Sequence, residues 1–416
     1  APEGEQDWDE LERALEELEP GLTPLEVISS LRKRLPASAA QRAAELYELR
    51  RKALPRFPSG RMRWLTRKGL EQATREVVAR ERARRIAASA QEAAVHDVTC
   101  GLGSDALELS LAGLRVLASD RDPLHAQCAR ANLSASPTAH CVFVGDAALP
   151  ASRECLLLAD PDRRAAGSSA ADARSLDPRA WSPSPEQLAL ALTRTRGACI
   201  KLPAGFDIAL CPTSWIEQRP HSWEWVSAEG ELCEVNLWVG TLAGPRAEAG
   251  EREVVTLDAT GRARRWSARP GSVVSAPLQE VSEISWVVDP DPALVRSGLL
   301  EAYAEAEGLS PLGPDARTSE ASDRRARHSA EPGESSQAAL PIPARPAMLA
   351  AADVGPIQVL KRGHPLPAEE LERRFRGRGQ RRGVVLVARL ESTHVALLVE
   401  PGGVGDEGFE PPTSSL

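Results

Sequence analysis

The sequence lacks any long apolar run. No stretch approaches the about 20 consecutive apolar residues that a membrane-spanning helix needs. Residues 1–20 contain nine acidic residues and one arginine, so they also lack the basic and then apolar layout of a secretory signal. We therefore expect a cytoplasmic protein that does not bind membranes.

Cysteine is present but has no recognisable pattern. The seven cysteines include no Cys-x-x-Cys pair, and none falls at zinc-site spacing with a histidine. This distribution argues against a disulfide framework and against a bound metal. We expect the cysteines to be buried thiols that pack as small apolar side chains.

Lysine is scarce, with five residues in the chain, so arginine supplies nearly all of the positive charge. The net charge of −8 argues, by itself, against a nucleic-acid binder. The charge is unevenly distributed, however, because residues 61–86 and 361–389 each have nine Arg or Lys and three Glu. Local patches, rather than the total charge, contact phosphates, so both segments are candidate phosphate-contacting surfaces.

The 416 residues exceed one ordinary domain, and their pattern changes along the chain. Apolar residues recur at helical spacing through residues 8–90, and from residue 95 short strands alternate with helices. That alternation predicts an α/β fold with a parallel, doubly wound sheet. The predicted divisions are a helical N-terminal domain at 1–90, an α/β domain at 91–245, a connector at 246–308, a disordered insertion at 309–347, a small α+β domain at 348–401 and a tail at 402–416.

The most specific motif is a Gly-x-Gly-x-x-Ala turn that begins at Gly101 and includes Gly103. An acidic residue, Asp120, follows the first glycine by nineteen positions. This spacing is typical of a site for the ribose of a nucleoside cofactor. It does not distinguish a dinucleotide from a methyl donor.

Acidic residues around the turn favour the methyl donor. Asp97 precedes the glycines and Asp105 opens the following helix, where two carboxylates would repel a pyrophosphate but attract a sulfonium and an ammonium group. Asp146, after the third strand, suits the exocyclic amine of adenine. The sequence therefore predicts S-adenosylmethionine as the cofactor.

The stretch DVTCGLGSDALELSLAGLRVLASDRDPLHAQCARANL resembles the first two motifs of class I S-adenosylmethionine-dependent methyltransferases. It is similar to a bacterial subgroup of this family whose members have a C-terminal THUMP-like domain. The run from Thr66 to Thr74 resembles the helix that precedes the first motif in that subgroup, and 348–401 resembles its THUMP-like domain. The resemblance implies a Rossmann-like methyltransferase sheet. It also implies that Asp97, Gly101 and Gly103 hold the methionine end of the donor, Asp120 the ribose and Asp146 the adenine.

Two further segments gain expected roles from this resemblance. The segment that begins at Thr66 resembles the flap of trimethylguanosine synthases, which would bring Thr66 and Gln72 near the cofactor; the alternative is a surface helix packed on the sheet. Related nucleic-acid amine methyltransferases carry an acid–Pro–Pro–aromatic motif after the fourth strand. Here the segment provides Asp160, Pro161 and Asp162 as catalytic candidates and Arg163 and Arg164 as substrate-binding candidates. The aromatic is missing, and Trp181 is a possible substitute or else a packed core residue.

The predicted reaction is methylation of a base nitrogen in RNA, either tRNA or rRNA. Three arginines of the C-terminal basic cluster, Arg374, Arg378 and Arg381, are candidate phosphate contacts. The alternatives are a methyltransferase of a small molecule or a protein, and a non-catalytic RNA-binding protein that keeps the cofactor fold. The sequence leaves the oligomeric state open, with a monomer favoured over an oligomer.

Five other residues have weaker signals. Lys201 follows the apolar run Ala-Cys-Ile, where the sheet faces the substrate, but a lysine before a Pro-Ala-Gly turn is commonly solvated. Arg75, Arg82 and Arg85 are expected on the outer face of one helix, either against phosphate or in solvent. His96 is expected to point away from the site.

Overall fold

The apolar periodicity of the first ninety residues forms five helices in the computed structural model of this protein. Their bounds are α1 (Trp8–Glu16), α2 (Pro24–Leu31), α3 (Ala37–Ala53), α4 (Arg67–Gln72) and α5 (Glu76–Ser89). At the start of α2, the Thr23 hydroxyl accepts a hydrogen bond from the Glu26 backbone, and the Glu26 carboxylate accepts one from the Thr23 backbone. This capping box satisfies two amide groups that the first turn leaves without helical partners.

The structure describes residues 8–19, 21–89, 93–148, 152–163, 175–245, 247, 250–270, 286–307, 310–313, 316–321, 335–343, 353–362, 366–390 and 393–401. The predicted tail at 402–416 and the candidate Arg164 lie outside these residues. The chain divides into two compact units. The first unit contains Ala1–Trp223, Cys233–Glu248 and Ala259–Ala263, and the second contains Glu224–Leu232, Ala249–Asp258 and Arg264–Leu416.

The first unit is built on a largely parallel sheet whose strand order reverses beside β1. Among the described residues up to 268, the strands are β1 (Val95–Asp97), β2 (Val116–Asp120), β3 (His140–Val144), β4 (Leu156–Ala159), β5 (Gly197–Pro203), β6 (His221–Ala228), β7 (Glu231–Gly240), β8 (Arg252–Leu257) and β9 (Ala263–Ala268). Within the first unit the order is β3-β2-β1-β4-β5-β7, and β7 runs antiparallel to β5. Val95 pairs with Val116 on one side and with Leu156 on the other. Ligands bind at such switch points in open α/β sheets, so the carboxyl end of β1 is where a site is expected.

Helices follow the strands of this sheet. They are α6 (Ser104–Leu111), α7 (Pro123–Leu133), α8 (Pro185–Leu192) and α9 (Thr213–Ile216). The predicted α/β alternation and the Rossmann-like sheet are confirmed. The strand at His221–Ala228 was not predicted, because its tryptophans and charged residues give no clear run of apolar side chains.

The N-terminal helices share a core with the sheet. Leu31, Phe57 and Ile86 from the helical segment belong to the same buried cluster as Val95 and Leu158 from the strands. The predicted boundary at residue 90 therefore does not separate an independent core. The segment before β1 forms two helices, α4 and α5, which are separated by a break at residues 73–75.

The second unit has a mixed sheet formed by later strands. Their bounds, with those of the helices between them, are β10 (Trp286–Asp289), α10 (Pro292–Ser297), α11 (Leu300–Glu307), β11 (Ser310–Gly313), β12 (Ala316–Ala321), β13 (Ser335–Pro343), β14 (Val354–Arg362), α12 (Ala368–Phe375), β15 (Arg381–Leu390) and β16 (Thr393–Pro401). The strand order is β11-β12-β10-β13-β16-β15-β14. Strands β14 and β15 are parallel, and β15 and β16 are antiparallel.

The later strands bear on two expectations for this part of the chain. The predicted strand–helix–strand–strand order of 348–401 is present as β14, α12, β15 and β16, with Val354, Leu371 and Val385 in a small apolar core. Strands β11, β12 and β13 fall within the predicted insertion at 309–347 and pair with neighbouring strands, and the disorder of that insertion stays a prediction. The remaining positions of that segment lie outside the described residues.

Across the described ranges, no helix is both long enough and apolar enough to cross a membrane.

Candidate active site at the carboxyl ends of the strands

The two glycines of the turn after β1 have different physical reasons to be glycine. Gly103 has a φ of 84°, and a Cβ there would come within 3.0 Å of Leu133 and 3.1 Å of Ala129 on α7. Gly101 has a φ of 53°, and a Cβ there would have no atom within 4 Å. Gly103 thus allows close packing beneath the turn, whereas open space adjoins Gly101, as a bound ligand would require.

Asp120, at the end of β2, is fixed by backbone donors. Its Oδ2 accepts a hydrogen bond of 2.9 Å from the Gly101 N–H, and its Oδ1 accepts one of 2.9 Å from Asp122. The neighbouring loop after β3 is also tied here, because the Gly145 N–H donates to the Asp120 carbonyl at 3.0 Å. Asp146 follows Gly145 and is exposed. The sequence-predicted Gly101, Asp120 and Asp146 therefore lie on adjacent loops.

Helix α4 is held against the glycine turn. Thr66 caps it by accepting a hydrogen bond from the Gly69 N–H at 3.0 Å, and the Thr66 hydroxyl lies 3.3 Å from His125 Nε2. A Cβ on Gly69 would lie 2.6 Å from the Leu102 side chain, so only glycine allows this approach. Thr66 is thus beside the site, whereas Gln72 is an exposed residue at the end of the helix.

Asn132 on α7 reinforces the same contact and was missed at the sequence level. Its Oδ1 accepts hydrogen bonds from the Arg63 and Trp64 amides at 3.0 and 2.8 Å, and its Nδ2 donates to the carbonyls of Trp64 and Leu102 at 3.0 and 2.9 Å. A lone asparagine in a helix gives no signal of such a role. It satisfies backbone groups that burial would otherwise leave without partners.

Arg82 is not on an outer face, as the helical pattern suggested. It is 3% exposed, and its guanidinium forms ion pairs with Asp105 on α6 and Glu234 on β7. Burial alone would raise the pKa of Asp105, but the Arg82 and Lys201 cations lower it to about 2. Asp105 therefore has protein cations as its partners, and the argument that it attracts a cationic cofactor is wrong for this residue.

Lys201, on β5, is buried rather than solvated, with 7% exposure. Its ammonium donates hydrogen bonds to Asp160 Oδ2 at 2.7 Å, to Asp105 Oδ2 at 3.1 Å and to the Thr74 hydroxyl. Burial alone would lower the pKa of Lys201, but the Asp105 and Asp160 carboxylates hold that pKa above its ordinary value. Lys201 is therefore a buried cation at the carboxyl ends of β4 and β5.

Asp97 is the buried acid of the cluster, with 3% exposure. Burial and the neighbouring Asp105 carboxylate raise the pKa of Asp97 to about 8, although Lys201 opposes this shift. Its Oδ1 accepts a 3.2 Å hydrogen bond from the Thr99 amide. A carboxyl group in this state is poised to ionise when a cation arrives. His96, in contrast, is held away from the site, between Ser119 and Ser152.

The segment after β4 is anchored on both sides. The Asp160 amide donates to the Thr99 hydroxyl at 2.7 Å, and the Asp160 side chain remains 44% exposed. Pro161 is buried, and Asp162 exchanges backbone hydrogen bonds of 2.8 and 2.9 Å with Ser182. The catalytic candidates thus form one fixed loop that reaches the solvent beside Lys201.

Trp181 does not provide an exposed stacking surface. It is 5% exposed, its indole N–H donates to the Ser175 carbonyl at 2.9 Å, and its ring centroid lies 5.6 Å from that of Phe206. The alternative reading, a packed core tryptophan, is the one the structure supports. Arg163 is half-buried on the loop after Asp162.

The remaining substrate-binding candidates belong to the second unit. Arg374 is exposed on α12 and pairs with Glu370 at 2.6 Å, and Arg378 and Arg381 are exposed in the following turn and at the start of β15. They are part of a cluster of six exposed arginines, here called the arginine cluster: Arg373, Arg374, Arg376, Arg378, Arg381 and Arg382.

Comparisons with known proteins identify the family. No protein-family model matches the chain. Two uncharacterized S-adenosylmethionine-dependent methyltransferases from two Mycobacterium tuberculosis strains are each 31% identical to it over 334 residues, a match that covers 80% of this chain and 86% of the relative. A solved structure from Porphyromonas gingivalis W83, provisionally assigned as a methyltransferase, has a TM-score of 0.74 at 18% identity and covers 95% of this chain and 99% of that chain.

The solved structure establishes only the shared fold, because its sequence identity is low. The identity and coverage of the mycobacterial relatives go further. On that evidence, with a nucleoside-type turn at the switch point of its sheet, the chain belongs to the S-adenosylmethionine-dependent methyltransferases.

Proposed function

We propose that this methyltransferase acts on a base nitrogen of RNA, in tRNA or rRNA. The observation that carries the proposal is the arginine cluster, in which six exposed guanidinium groups lie within ten residues, from Arg373 to Arg382. Phosphate contacts from such a segment hold an RNA without reading its sequence. The resemblance of 348–401 to THUMP-like domains supports the same choice.

The residues at the switch point fit S-adenosylmethionine. The open space beside Gly101 admits a ligand against the backbone, and the Asp120 carboxylate keeps lone pairs for the ribose hydroxyls after accepting two amide hydrogen bonds. Asp146 would reach the adenine, Asp97 the methionine ammonium, and Thr66 and Gly103 would line the same turn. Gln72 is exposed, which gives less support to a contact between this residue and the donor.

The bound donor supplies an electrophilic methyl group on a sulfonium, so the protein needs mainly to position the acceptor nitrogen. We assign this task to Asp160, Pro161 and Asp162. The Asp160 carboxylate accepts a hydrogen bond from the substrate N–H and turns the nitrogen lone pair towards the methyl carbon. Pro161 fixes the loop, and Asp162 is a candidate acceptor for the proton that leaves after transfer. Arg163 and Arg164 are the candidates for contacting the RNA beside this loop.

The test is tritium transfer from labelled S-adenosylmethionine into total bacterial RNA, total protein and a small-molecule extract in parallel. Label in RNA that disappears in Asp160→Ala supports the proposal. Label only in the extract or only in protein replaces RNA with the corresponding substrate class. RNA binding without any transfer indicates a non-catalytic RNA-binding protein.

Salt dependence tests the phosphate contacts separately. Arg374→Ala/Arg378→Ala/Arg381→Ala should lower the slope of log affinity against log salt by about 2, since each lost contact with single-stranded RNA contributes about 0.7. A matched control removes three exposed positive charges elsewhere, in Arg32→Ala/Arg42→Ala/Lys52→Ala. Equal slopes for the two triple variants would exclude a specific role for the arginine cluster.

A further inference from the structure

A single buried ammonium group connects three segments of the first unit. Lys201 Nζ on β5 donates to Asp160 Oδ2 at 2.7 Å on the catalytic loop and to Asp105 Oδ2 at 3.1 Å at the start of α6. It also donates to the Thr74 hydroxyl, in the break between α4 and α5. The Lys201 side chain is 8% exposed, so these oxygens replace the water that an ammonium normally binds.

Asp105 is compensated by two cations, since Lys201 adds to an Arg82 guanidinium that Asp105 shares with Glu234. Arg82 already pairs with Asp105 through Oδ1, while Lys201 contacts the other oxygen. Asp160 is different, because its side chain is 44% exposed and water could solvate it without any cation. Burying an ammonium costs free energy that an apolar side chain at this position would avoid. The pairing with Asp160 is therefore better explained by the orientation it imposes than by stability.

We propose that Lys201 is a positioning residue for methyl transfer and acts through Asp160. By binding Oδ2, Lys201 fixes the carboxylate plane and leaves Oδ1 to accept the hydrogen bond from the substrate amine. Two further contacts, with Asp105 and Thr74, prevent the ammonium from moving with the exposed carboxylate. The inference rests on the proposed function, since it requires Asp160 to contact the substrate nitrogen.

The step itself is a direct displacement in which Lys201 exchanges no atoms. The nitrogen lone pair forms a bond to the methyl carbon, the sulfur–carbon bond breaks, and its electron pair stays on sulfur. The methylated nitrogen then loses its proton to water or to a loop carboxylate. A misplaced acceptor slows this step because the three reacting atoms must be in line.

The test compares Lys201→Met, Asp160→Asn and the double variant, with Lys33→Met as an exposed control. Transfer is measured on the RNA that accepts label from the wild type, S-adenosylhomocysteine binding is measured by calorimetry, and unfolding is measured by urea. We expect Lys201→Met to lower kcat about 10²-fold. The KM for RNA should change by less than about threefold, since Lys201 is assigned to orientation rather than to substrate binding. The affinity for S-adenosylhomocysteine should fall as well, because the Lys201 cation lowers the pKa of Asp97.

The double variant shows whether Lys201 acts through Asp160. If it does, Lys201→Met causes no further loss of kcat in the Asp160→Asn background. A further loss of similar size in the double variant would overturn the inference. Retained kcat with weakened S-adenosylhomocysteine binding in Lys201→Met would also overturn it, because that result marks a purely structural residue. If Lys201→Met does not fold, Lys201→Arg carries the test, because it retains the charge while changing the geometry. A folded Lys201→Arg with normal kcat when Asp160→Asn is inactive would then count against positioning.

Failure of the proposed function is distinguishable from failure of this inference. Wild-type transfer by Asp160→Ala, or absence of any labelled RNA, rejects the proposed function. Loss of transfer in Asp160→Asn with full kcat in Lys201→Met rejects only the role of Lys201.

Discussion

At pH 7 the Asp97 side chain should be mostly protonated before the donor binds. Burial and the Asp105 carboxylate raise the pKa of Asp97 to about 8. About nine-tenths of the molecules therefore hold this proton at pH 7. If Asp97 meets the methionine ammonium as a carboxylate, as we propose, binding of the donor must release this proton.

The pKa sets the size and sign of the effect. The fraction of ionised Asp97 is about a half at pH 8, a tenth at pH 7 and a hundredth at pH 6, and the apparent affinity falls by the same fraction. S-adenosylhomocysteine should thus bind about 50-fold more weakly at pH 6 than at pH 8, with tighter binding as pH rises. Lys201, Asp105 and Asp160 are the charged neighbours of Asp97, and the Lys201 cation limits the shift.

Calorimetry measures this proton directly. Titrations of S-adenosylhomocysteine at pH 7 in phosphate and in Tris give a buffer-dependent enthalpy, whose slope should correspond to about 0.9 protons released. Asp97→Asn should show weaker binding with no such slope, and Asp207→Asn, an exposed aspartate of the same unit, should behave as the wild type. A wild-type enthalpy independent of buffer would refute the reasoning, and so would a slope that survives in Asp97→Asn.

The remaining predictions concern stability. Because the pKa of Asp97 is about 8 in the folded state and 3.8 in the unfolded chain, only the folded protein binds this proton between those values. The resulting contribution to stability is lost as pH rises through that window. In urea unfolding, the free energy of unfolding of the wild type should fall by up to about 1.4 kcal/mol per pH unit in this window, and Asp97→Asn should remove that fall. Identical pH slopes for the wild type and Asp97→Asn would contradict the assignment. Arg82→Met should destabilise the protein by about 3–5 kcal/mol, because it removes a cation from two buried carboxylates. The control is Arg84→Met on the same helix, where the arginine side chain is 60% exposed, and it should change stability by less than about 0.5 kcal/mol. Asn132→Ala should cost at least about 1–3 kcal/mol through unpaired backbone groups and weaken S-adenosylhomocysteine binding, and the exposed Ser134→Ala provides the comparison. If a variant and its control were equally stable, the role assigned to Arg82 or to Asn132 would be contradicted.

Local patterns predicted much of the fold. Apolar periodicity and capping residues such as Thr23 specify helices within a few neighbouring residues, so the α/β alternation could be read directly. The glycine turn and the acid of β2 could also be located, because their spacing reflects one short strand–helix–strand unit. The break between α4 and α5 was missed, since it depends on packing against distant segments.

The sequence alone determined which acids would lie at the strand ends, because parallel strands bring their carboxyl ends to one edge. It did not determine which acids would be free to meet a cationic donor. Asp105 is neutralised by Arg82, 23 positions away, and by Lys201, 96 positions away. Such pairing depends on which faces of α5, α6 and β5 pack together, because packing determines which opposite charge lies close to a buried one. Only the tertiary structure therefore separated Asp97 and Asp160, the acids proposed for ligands, from an acid that serves the protein itself.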